Sequence, residues 1–263
     1  MIVEQIWAAN DYRNFHYLIA CPETGDALAV DPLDWQRVWT LAKARGYTIT
    51  QILNTHEHLD HTGGNEGLRG VTGAKVLAHA GAAARIGGVD RGLLRGDIIK
   101  IGRAIELECL DTPGHTMTHV CLFARTEQPA LFCGDTLFNA GAGNCHNGGA
   151  PELLYETFAT QLALLPESTR VYPGHDYLQR NLEFTLDREP TNRDAALWLP
   201  AARAQNPEHA RVTTLAEEKL INTFFRLQSP SVIERLRASF ADLPQQPDAR
   251  TVFIKLRELR NRW

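Results

Sequence analysis

Three histidines and one aspartate within six residues constrain the fold of this chain more than any other feature. Residues 55–61 read Thr-His-Glu-His-Leu-Asp-His and follow an apolar run at 49–53 that predicts a β-strand. These side chains therefore belong to a loop at a strand end, where a rigid sheet can hold them in place. Imidazole nitrogens and carboxylate oxygens are good ligands for zinc, iron and manganese. The cluster predicts a metal site that includes His56, His58, Asp60 and His61.

Three further segments place potential ligands directly after predicted strands. They are Thr-Pro-Gly-His at 112–115, Gly-Asp-Thr-Leu-Phe at 134–138 and Tyr-Pro-Gly-His-Asp at 172–176. The candidate ligands in them are His115, Asp135 and His175. Each segment alone is a weak signal, but the position of all four clusters at strand ends indicates a common role.

Two other polar residues have candidate supporting roles. His119 opens the strand after the second cluster, and we expect it to support the ligands or to lie in the core. Asp31 lies in a Val-Asp-Pro turn after a predicted strand. It is either a carboxylate partner for a ligand imidazole or a plain turn residue.

The pattern of apolar runs predicts an α/β sandwich built from two similar halves, followed by helices. Strands are predicted at 2–7, 15–20, 27–30, 49–53, 75–78, 98–101, 104–110, 119–123, 130–133 and 169–172. Helices are predicted at 34–44, near 66–71 and at 152–165, and none of the strands falls in the Gly-rich stretch 80–96. From residue 177 onward there is almost no strand signal, and helices are predicted at 177–187, 192–205, 214–222, 231–241 and 248–262. We therefore divide the chain into a catalytic domain, 1–176, and an α-helical domain, 177–263.

Composition excludes several classes of protein. An apolar fraction of 44% and a net charge of −4 exclude global disorder and a large basic surface, so we expect no nucleic-acid partner. No run of about 18 apolar residues predicts a membrane helix, so we expect no membrane partner. The five cysteines form no C-x-x-C pair, and the first residues lack the features of a signal peptide. These features are typical of a cytoplasmic protein, and we expect a monomer.

On these motifs the chain resembles the metallo-β-lactamase superfamily, whose hallmark is Thr-His-x-His-x-Asp-His followed downstream by a histidine, an aspartate and a histidine. Within the superfamily it resembles glyoxalase II, the hydroxyacylglutathione hydrolases. The narrower match rests on the helical tail and on the sequences at 134–138, 173–177, 214–218 (Thr-Leu-Ala-Glu-Glu) and 222–226 (Asn-x-Phe-x-Arg). The resemblance implies a metallo-β-lactamase αββα sandwich with a C-terminal α-helical domain.

The resemblance also implies a centre of two divalent metal ions, zinc in the first instance, with iron or manganese as alternatives. One ion would be held by His56, His58 and His115, the other by Asp60, His61 and His175, and Asp135 would bridge them. The implied reaction cleaves S-2-hydroxyacylglutathione, such as S-lactoylglutathione from methylglyoxal detoxification, to a 2-hydroxy acid and glutathione by attack of a metal-bound hydroxide. Asp60, His56 and His58 are the implied catalytic residues.

The expected substrate-binding residues match the family only in part. Tyr177 matches a tyrosine that contacts glutathione in the family, and Arg257 and Arg260 match a C-terminal basic pair. The family's loop Gly-x-Gly-Lys-x-Tyr-Glu-Gly reads Gly-Ala-Gly-Asn-Cys-His-Asn-Gly here, at 141–148. Asn144 therefore replaces the lysine and His146 the tyrosine, which removes one positive charge from the expected glutathione site.

Two other functions stay open at this point. A persulfide dioxygenase has the same fold and binds one iron with a subset of the ligands. A hydrolase of another thioester, a lactone or a phosphodiester would be consistent with the altered loop. We favour a small-molecule glutathione thioester as the substrate.

Overall fold

Two six-stranded β-sheets face each other in the middle of the molecule, which the computed structural model describes over residues 1–263. The first sheet contains, in spatial as in chain order, β1 (Ile2–Trp7), β2 (Phe15–Ala20), β3 (Asp26–Val30), β4 (Thr48–Leu53), β5 (Lys75–His79) and β6 (Val89–Leu93). The strands from β3 to β6 are parallel to one another. Helices α1 (Trp35–Arg45), α2 (Leu59–Thr62) and α3 (Asn65–Thr72) connect strands of this sheet.

The second sheet is formed by the rest of the catalytic segment and by two residues from the helical tail. Its strands are β7 (Ile98–Ile101), β8 (Ile105–Asp111), β9 (Val120–Ala124), β10 (Ala130–Gly134), β13 (Arg170–Pro173) and β14 (Thr213–Thr214). A two-stranded hairpin, β11 (Leu137–Phe138) and β12 (Gly141–Ala142), and helix α4 (Pro151–Thr160) lie between β10 and β13 in the chain. The tail adds α5 (Leu178–Arg188), α6 (Arg193–Arg203), α7 (Leu215–Ile221), α8 (Pro230–Ser239) and α9 (Ala249–Arg260). None of the helices is long and apolar enough to cross a membrane.

Successive side chains of a strand point to opposite faces of its sheet, and this alternation separates the core between the sheets from the core beneath the helices. On β2, Phe15, Tyr17 and Ile19 point into the core between the two sheets, whereas Leu18 and Ala20 belong to the core beneath α1 and α3. This is the two-residue period of a strand that is buried on both faces. The predicted αββα sandwich with a C-terminal helical domain is therefore confirmed.

The helical tail shares its core with the second sheet. Phe123 of β9, Phe158 of α4, Phe184 of α5 and Phe253 of α9 all belong to one buried cluster. The rings of Phe158 and Phe253 lie 5.2 Å apart at an interplanar angle of 62°, an edge-to-face contact. The shared core means that the tail covers a face of the second sheet that would otherwise be exposed. The division of the chain into two domains at residue 177 stays a prediction.

Four local predictions were wrong. Strand β6 lies inside the Gly-rich stretch 80–96, and residues 54–65, which the sequence predicts to be a loop carrying the first histidine cluster, contain the one-turn helix α2. The predicted helix 152–165 ends at Thr160 and continues only as a 3₁₀ turn. Strand β14 interrupts the helical tail and pairs with β13. Edge strands such as β6, which has three exposed residues of five, carry little apolar signal, and β14 is too short for any periodicity.

A buried carboxylate links the tail to the hairpin β11–β12. Glu218, from the Thr-Leu-Ala-Glu-Glu stretch, accepts hydrogen bonds from the Ala140 backbone N–H at 2.8 Å, the Thr213 hydroxyl at 2.8 Å and the Asn222 amide at 3.0 Å. Burial raises the pKa of Glu218 to about 7, although these donors act in the opposite direction. The contacts hold the hairpin from which loop 143–149 continues.

We expect Glu218→Ala to lower the free energy of unfolding by about 3 kcal/mol, because the donors that face Glu218 become buried without partners. Urea unfolding followed by circular dichroism measures the loss. Glu234→Ala, on the exposed face of α8, is the matched control and should stay within about 0.5 kcal/mol of the parent. Equal stability of the two variants would contradict the structural role of Glu218.

Candidate functional site

The seven predicted ligand residues come together at one edge of the sandwich. They follow the carboxyl ends of β4, β8, β10 and β13. Three sets have donor atoms within 4.8 Å of one another: His56, His58 and His115; His56, His61 and Asp135; and Asp60, His61 and His175. We call these seven residues the donor cluster.

The first set is a compact group of three imidazoles. His56 Nε2 lies 3.0 Å from His58 Nδ1, which lies 3.1 Å from His115 Nε2. His56 and His115 are buried, whereas His58 is partly exposed. The three nitrogens therefore face one point at the surface of the cluster, an arrangement typical of a three-histidine metal site.

The set of Asp60, His61 and His175 combines two imidazoles with a carboxylate. His61 Nε2 and His175 Nε2 lie 3.2 Å apart, and Asp60 Oδ2 lies 3.5 Å from each of them. Asp135 stands between this set and the three-histidine set of His56, His58 and His115. Its Oδ1 lies 3.4 Å from His61 Nε2, and its Oδ2 lies 3.5 Å from His115 Nε2 and 3.2 Å from His175 Nε2.

Backbone carbonyls determine which nitrogen of two imidazoles carries the proton. His115 Nδ1 lies 2.6 Å from the carbonyl oxygen of Asn144, and His175 Nδ1 lies 2.7 Å from that of Tyr12. A carbonyl can only accept, so Nδ1 is the donor in both residues. Nε2 is therefore the nitrogen of each ring that faces the centre of the cluster, as in metal-binding histidines.

Asp31 orients two further imidazoles. Its Oδ2 accepts from His61 Nδ1 at 2.9 Å and from the Thr55 hydroxyl at 2.7 Å, and its Oδ1 accepts from the Thr55 backbone N–H at 2.8 Å. Thr55 Oγ1 in turn lies 3.0 Å from His56 Nδ1. Of the two roles considered for Asp31, the structure shows the carboxylate that contacts an imidazole of the cluster.

The electrostatics of the cluster favour a cation. Burial lowers the pKa of His56 well below its usual value and that of His115 to about 4, so these imidazoles are neutral. Burial also opposes the charge on His61, but Asp135 and Asp31 outweigh it and raise its pKa to about 9. Burial would raise the pKa of Asp135, yet the imidazoles of His175 and His61 hold it well below its usual value.

The donor atoms fit a divalent metal ion. Asp135 Oδ1 is buried and has no hydrogen-bond partner. The Nδ1 atoms of His61 and His175 donate outward, so their Nε2 atoms, which lie 3.2 Å apart, need either a proton or a metal cation between them. Imidazole nitrogens and a carboxylate oxygen are the donors that zinc, iron and manganese accept. The cluster is thus a candidate divalent-metal centre.

Two glycines leave room for the cluster. A Cβ at Gly174 would collide with Asp135 Oδ1 and would lie 2.9 Å from His61 Cε1. Gly134 has φ +44°, a conformation that side chains other than glycine rarely adopt, and a Cβ there would collide with Thr55. The Pro-Gly-His and Gly-Asp motifs therefore need glycine for steric reasons beside their ligand residues.

His119 lies next to the cluster and outside it. Its Nε2 accepts from the backbone N–H of Asp135 at 3.2 Å, and its ring stacks on His56 with centroids 5.1 Å apart. Its Nδ1 lies 3.0 Å from the hydroxyl of Thr112. His119 thus supports the residues of the cluster from the core, in agreement with its expected role.

Sequence reasoning missed several contributors to the site. Asn14 donates to Asp60 Oδ2 at 3.2 Å, and the carbonyl of Tyr12 holds His175. Glu57 accepts from Thr116 at 3.0 Å and from Thr118 at 2.7 Å, so it joins the loop of the first motif to that of the second. Near these residues the sequence carries only a turn signal, at 10–11, and a carbonyl contact leaves no side-chain signature in the sequence.

The predicted substrate-binding residues of the tail fall in two environments. Tyr177 stacks on the His175 ring at a centroid distance of 5.1 Å, and its hydroxyl donates to the Tyr12 carbonyl at 3.1 Å. Arg260 and Tyr177 line the same surface cavity, whose volume is about 850 Å³. Arg257 is only 3% exposed, and its guanidinium donates to the Ala142 carbonyl at 2.6 Å. The roles of all three toward substrate stay predictions.

The altered loop touches the donor cluster through its backbone. The Asn144 carbonyl accepts from His115, and the Asn144 side chain accepts from the backbone N–H of His146 at 3.2 Å. The His146 side chain is exposed. Cys145 packs against the core of the tail, and burial raises the pKa of its thiol to about 11, as expected of an inert cysteine. Substrate contacts by Asn144 and His146 stay predictions.

Comparison with known proteins covers the whole chain. A family model described as "Metallo-beta-lactamase superfamily" matches residues 16–175, and one described as "Hydroxyacylglutathione hydrolase C-terminus" matches residues 176–263. Two proteins named hydroxyacylglutathione hydrolase, from Polaromonas sp. and Nitrosococcus oceani, are 65% and 62% identical to this chain, and each match covers 100% of both chains.

Solved structures agree with the architecture. The crystal structure of ETHE1 from Myxococcus xanthus matches 100% of this chain and 98% of its own chain, with a TM-score of 0.68 and 26% sequence identity. The identity of this structure is far lower than that of the two hydrolases, and the matched tail model carries the hydrolase description. The chain therefore belongs to the hydroxyacylglutathione hydrolase family, glyoxalase II, within the metallo-β-lactamase superfamily.

Proposed function

We propose that this chain hydrolyses the thioester of S-2-hydroxyacylglutathione, chiefly S-lactoylglutathione, to a 2-hydroxy acid and glutathione. One observation carries the proposal: the donor cluster opens beside Tyr177, at the rim of a cavity lined by four arginines. A hydrolytic centre next to a cationic cavity suits a thioester whose carrier bears carboxylates. The proposed monomeric state and cytoplasmic location rest on the sequence alone.

We propose that the donor cluster holds two divalent ions, zinc in the first instance, with iron or manganese as alternatives. His56, His58 and His115 would hold one ion, Asp60, His61 and His175 the other, and Asp135 would contact both. When bound, such ions lower the pKa of a water molecule and polarise a carbonyl oxygen, which is the chemistry that thioester hydrolysis requires.

The chain's own residues prepare this centre for the reaction. Asp31 and the carbonyls of Tyr12 and Asn144 accept from the Nδ1 atoms of His61, His175 and His115, which turns the Nε2 atoms toward the centre, so the ligands need no rearrangement. Asp60 is the most exposed carboxylate of the cluster, and Asn14 fixes its Oδ2. Asp60 is therefore suited to orient the attacking water by a hydrogen bond.

We expect elemental analysis of the purified protein to find about two transition-metal ions per chain. Asp135→Ala should lose metal and activity together, because this carboxylate faces both sets of imidazoles. His209→Ala, an exposed histidine outside the donor cluster, is the control and should keep both the metal and the activity.

A count of one ion per chain that metal supplementation does not change would overturn the two-ion proposal. Oxygen uptake with glutathione persulfide, without cleavage of S-lactoylglutathione, would then favour the dioxygenase alternative. Metal content and oxygen uptake are independent measurements, so together they distinguish a two-ion hydrolase from a one-iron dioxygenase.

We expect the double substitution Asn144→Lys, His146→Tyr to lower the KM for S-lactoylglutathione roughly tenfold, because it restores a charge-assisted contact to a carboxylate. The kcat should change little, because a contact that stabilises the bound substrate and the transition state equally leaves the chemical step unaffected. The backbone carbonyl that holds His115 is retained. Steady-state kinetics measure both parameters, and Asn147→Lys, which places the same charge elsewhere in the loop, is the control.

The opposite result would change the substrate assignment. If the double substitution raises KM or abolishes activity, the native loop is adapted to another carrier. A panel of coenzyme A thioesters and lactones would then identify the substrate class.

A further inference from the structure

The first histidine motif contains one acidic residue that lies outside the donor cluster. Glu57 lies in the chain between His56 and His58, which both belong to the three-histidine set. Its side chain is only 10% exposed, and a carboxylate loses favourable hydration when it is buried. A buried carboxylate therefore needs hydrogen-bond donors, and these donors indicate what the residue does.

The two oxygens of Glu57 have different partners. Oε2 accepts from the Thr116 hydroxyl at 3.0 Å and from the Thr118 hydroxyl at 2.7 Å, and both threonines are buried. Oε1 accepts from the guanidinium of Arg85, whose side chain is 57% exposed. An ion pair with an exposed arginine contributes little to stability, so the threonine contacts are the ones that fix the carboxylate.

These contacts join two loops that carry ligand residues. Thr116 and Thr118 lie one and three residues after His115 in the chain, and Glu57 directly precedes His58. The imidazoles of His58 and His115 meet in the three-histidine set, where Nδ1 of the first lies 3.1 Å from Nε2 of the second. A carboxylate that ties the two loops together beside these ligands limits how far the two imidazoles can separate.

The supports of His115 differ from those of the other set. The Asn144 carbonyl fixes the ring of His115, and the hydrogen bonds of Glu57 fix the segment that follows it. The set of Asp60, His61 and His175 has separate supports, which are Asn14, Asp31 and the Tyr12 carbonyl. A change at Glu57 should therefore act on one set and spare the other.

We propose that Glu57 is a positioning residue: it holds the loop of His115 against its own loop and so keeps the three-histidine set able to bind a metal ion. This inference rests on the proposed divalent-metal centre and concerns one of its two ions. Glu57 itself is not a ligand, because both of its oxygens already accept hydrogen bonds from other side chains.

We expect Glu57→Ala to lose one of its two metal ions at a chelator concentration about ten- to a hundredfold lower than the parent requires, because loss of a residue that orients a ligand weakens metal binding by such a factor. The second ion should leave at the concentration that the parent requires. Titration with EDTA, followed by elemental analysis of the retained metal, measures both. Asn14→Ala, which removes the amide that contacts Asp60, is the matched comparison and should weaken the other ion.

Three further variants separate the threonine contacts from the charge of the carboxylate. Arg85→Gln removes only the partner of Oε1 and should leave the required chelator concentration within about twofold. Glu57→Gln keeps an oxygen that can accept from both threonines and should retain most of the affinity for metal. Thr118→Val removes one hydroxyl at nearly constant shape, so it should weaken the same ion and add little to Glu57→Ala.

Several results would overturn the proposal. Glu57→Ala that releases both ions together at lower chelator concentration would show a general loss of stability, and Glu57→Ala that retains both ions would show no role. Equal losses in Glu57→Ala and Arg85→Gln would assign the effect to charge. If Glu57→Ala does not fold, Thr118→Val decides, and unchanged metal retention in that variant refutes the role.

Kinetics provide a second readout. Excess metal in the assay should restore the kcat of Glu57→Ala for S-lactoylglutathione to within about threefold, because the variant still has all seven residues of the donor cluster. The KM should stay within about twofold of the parent value, since Glu57 contacts the two ligand loops and not the cavity beside Tyr177. A raised KM that excess metal does not correct would contradict the positioning role.

Metal retention is measured without substrate, so this inference and the proposed reaction can fail separately. If Glu57→Ala loses one ion selectively but the parent does not cleave S-lactoylglutathione, the proposed reaction fails while the role of Glu57 stands. If the parent cleaves the thioester but Glu57→Ala retains metal as the parent does, the role of Glu57 is refuted and the reaction stands. If the parent holds a single ion, a chelator requirement that Glu57→Ala does not change refutes the role, and a lowered requirement keeps it.

Discussion

The site depends on one constraint: several donor nitrogens face each other across about 3 Å, and a proton or a metal cation must lie between them. His61 and His175 turn their Nε2 atoms together because their Nδ1 atoms donate to Asp31 and to the Tyr12 carbonyl. Asp135 adds a buried oxygen without a hydrogen-bond donor. Bringing these groups together costs free energy unless a cation offsets it, and the packing of the surrounding sandwich keeps them in place.

The two sheets supply the rigidity that this arrangement needs. The ligand residues come from loops that follow strands of both sheets, and direct contacts join the sheets beside the site. The Tyr17 hydroxyl of β2 donates to the Pro173 carbonyl of β13 at 2.6 Å, and the Phe15 backbone N–H donates to the Gly174 carbonyl at 2.8 Å. These bonds set the distance between His175 and the ligands that follow β4, so the sandwich core determines the geometry of the cluster.

The helical tail serves both packing and recognition. It covers the outer face of the second sheet through one shared core, and Glu218 ties it to the hairpin that leads into loop 143–149. The same tail carries Tyr177 and Arg260 to the edge of the donor cluster. The proposed binding of the carrier therefore depends on the packing that stabilises the tail.

The sequence was enough to predict the residues of the donor cluster, because short motifs after strands bring specific donor side chains to one edge of a sheet. It also determined the layers, since the periods of strand and helix appear in the apolar pattern. Tertiary structure alone decided which imidazole nitrogen faces inward, because the backbone carbonyls of Tyr12 and Asn144 have no sequence signature. It also decided that Arg257 is buried whereas Arg180 lines the cavity, since the exposure of an arginine depends on what packs around it and not on its own chemistry.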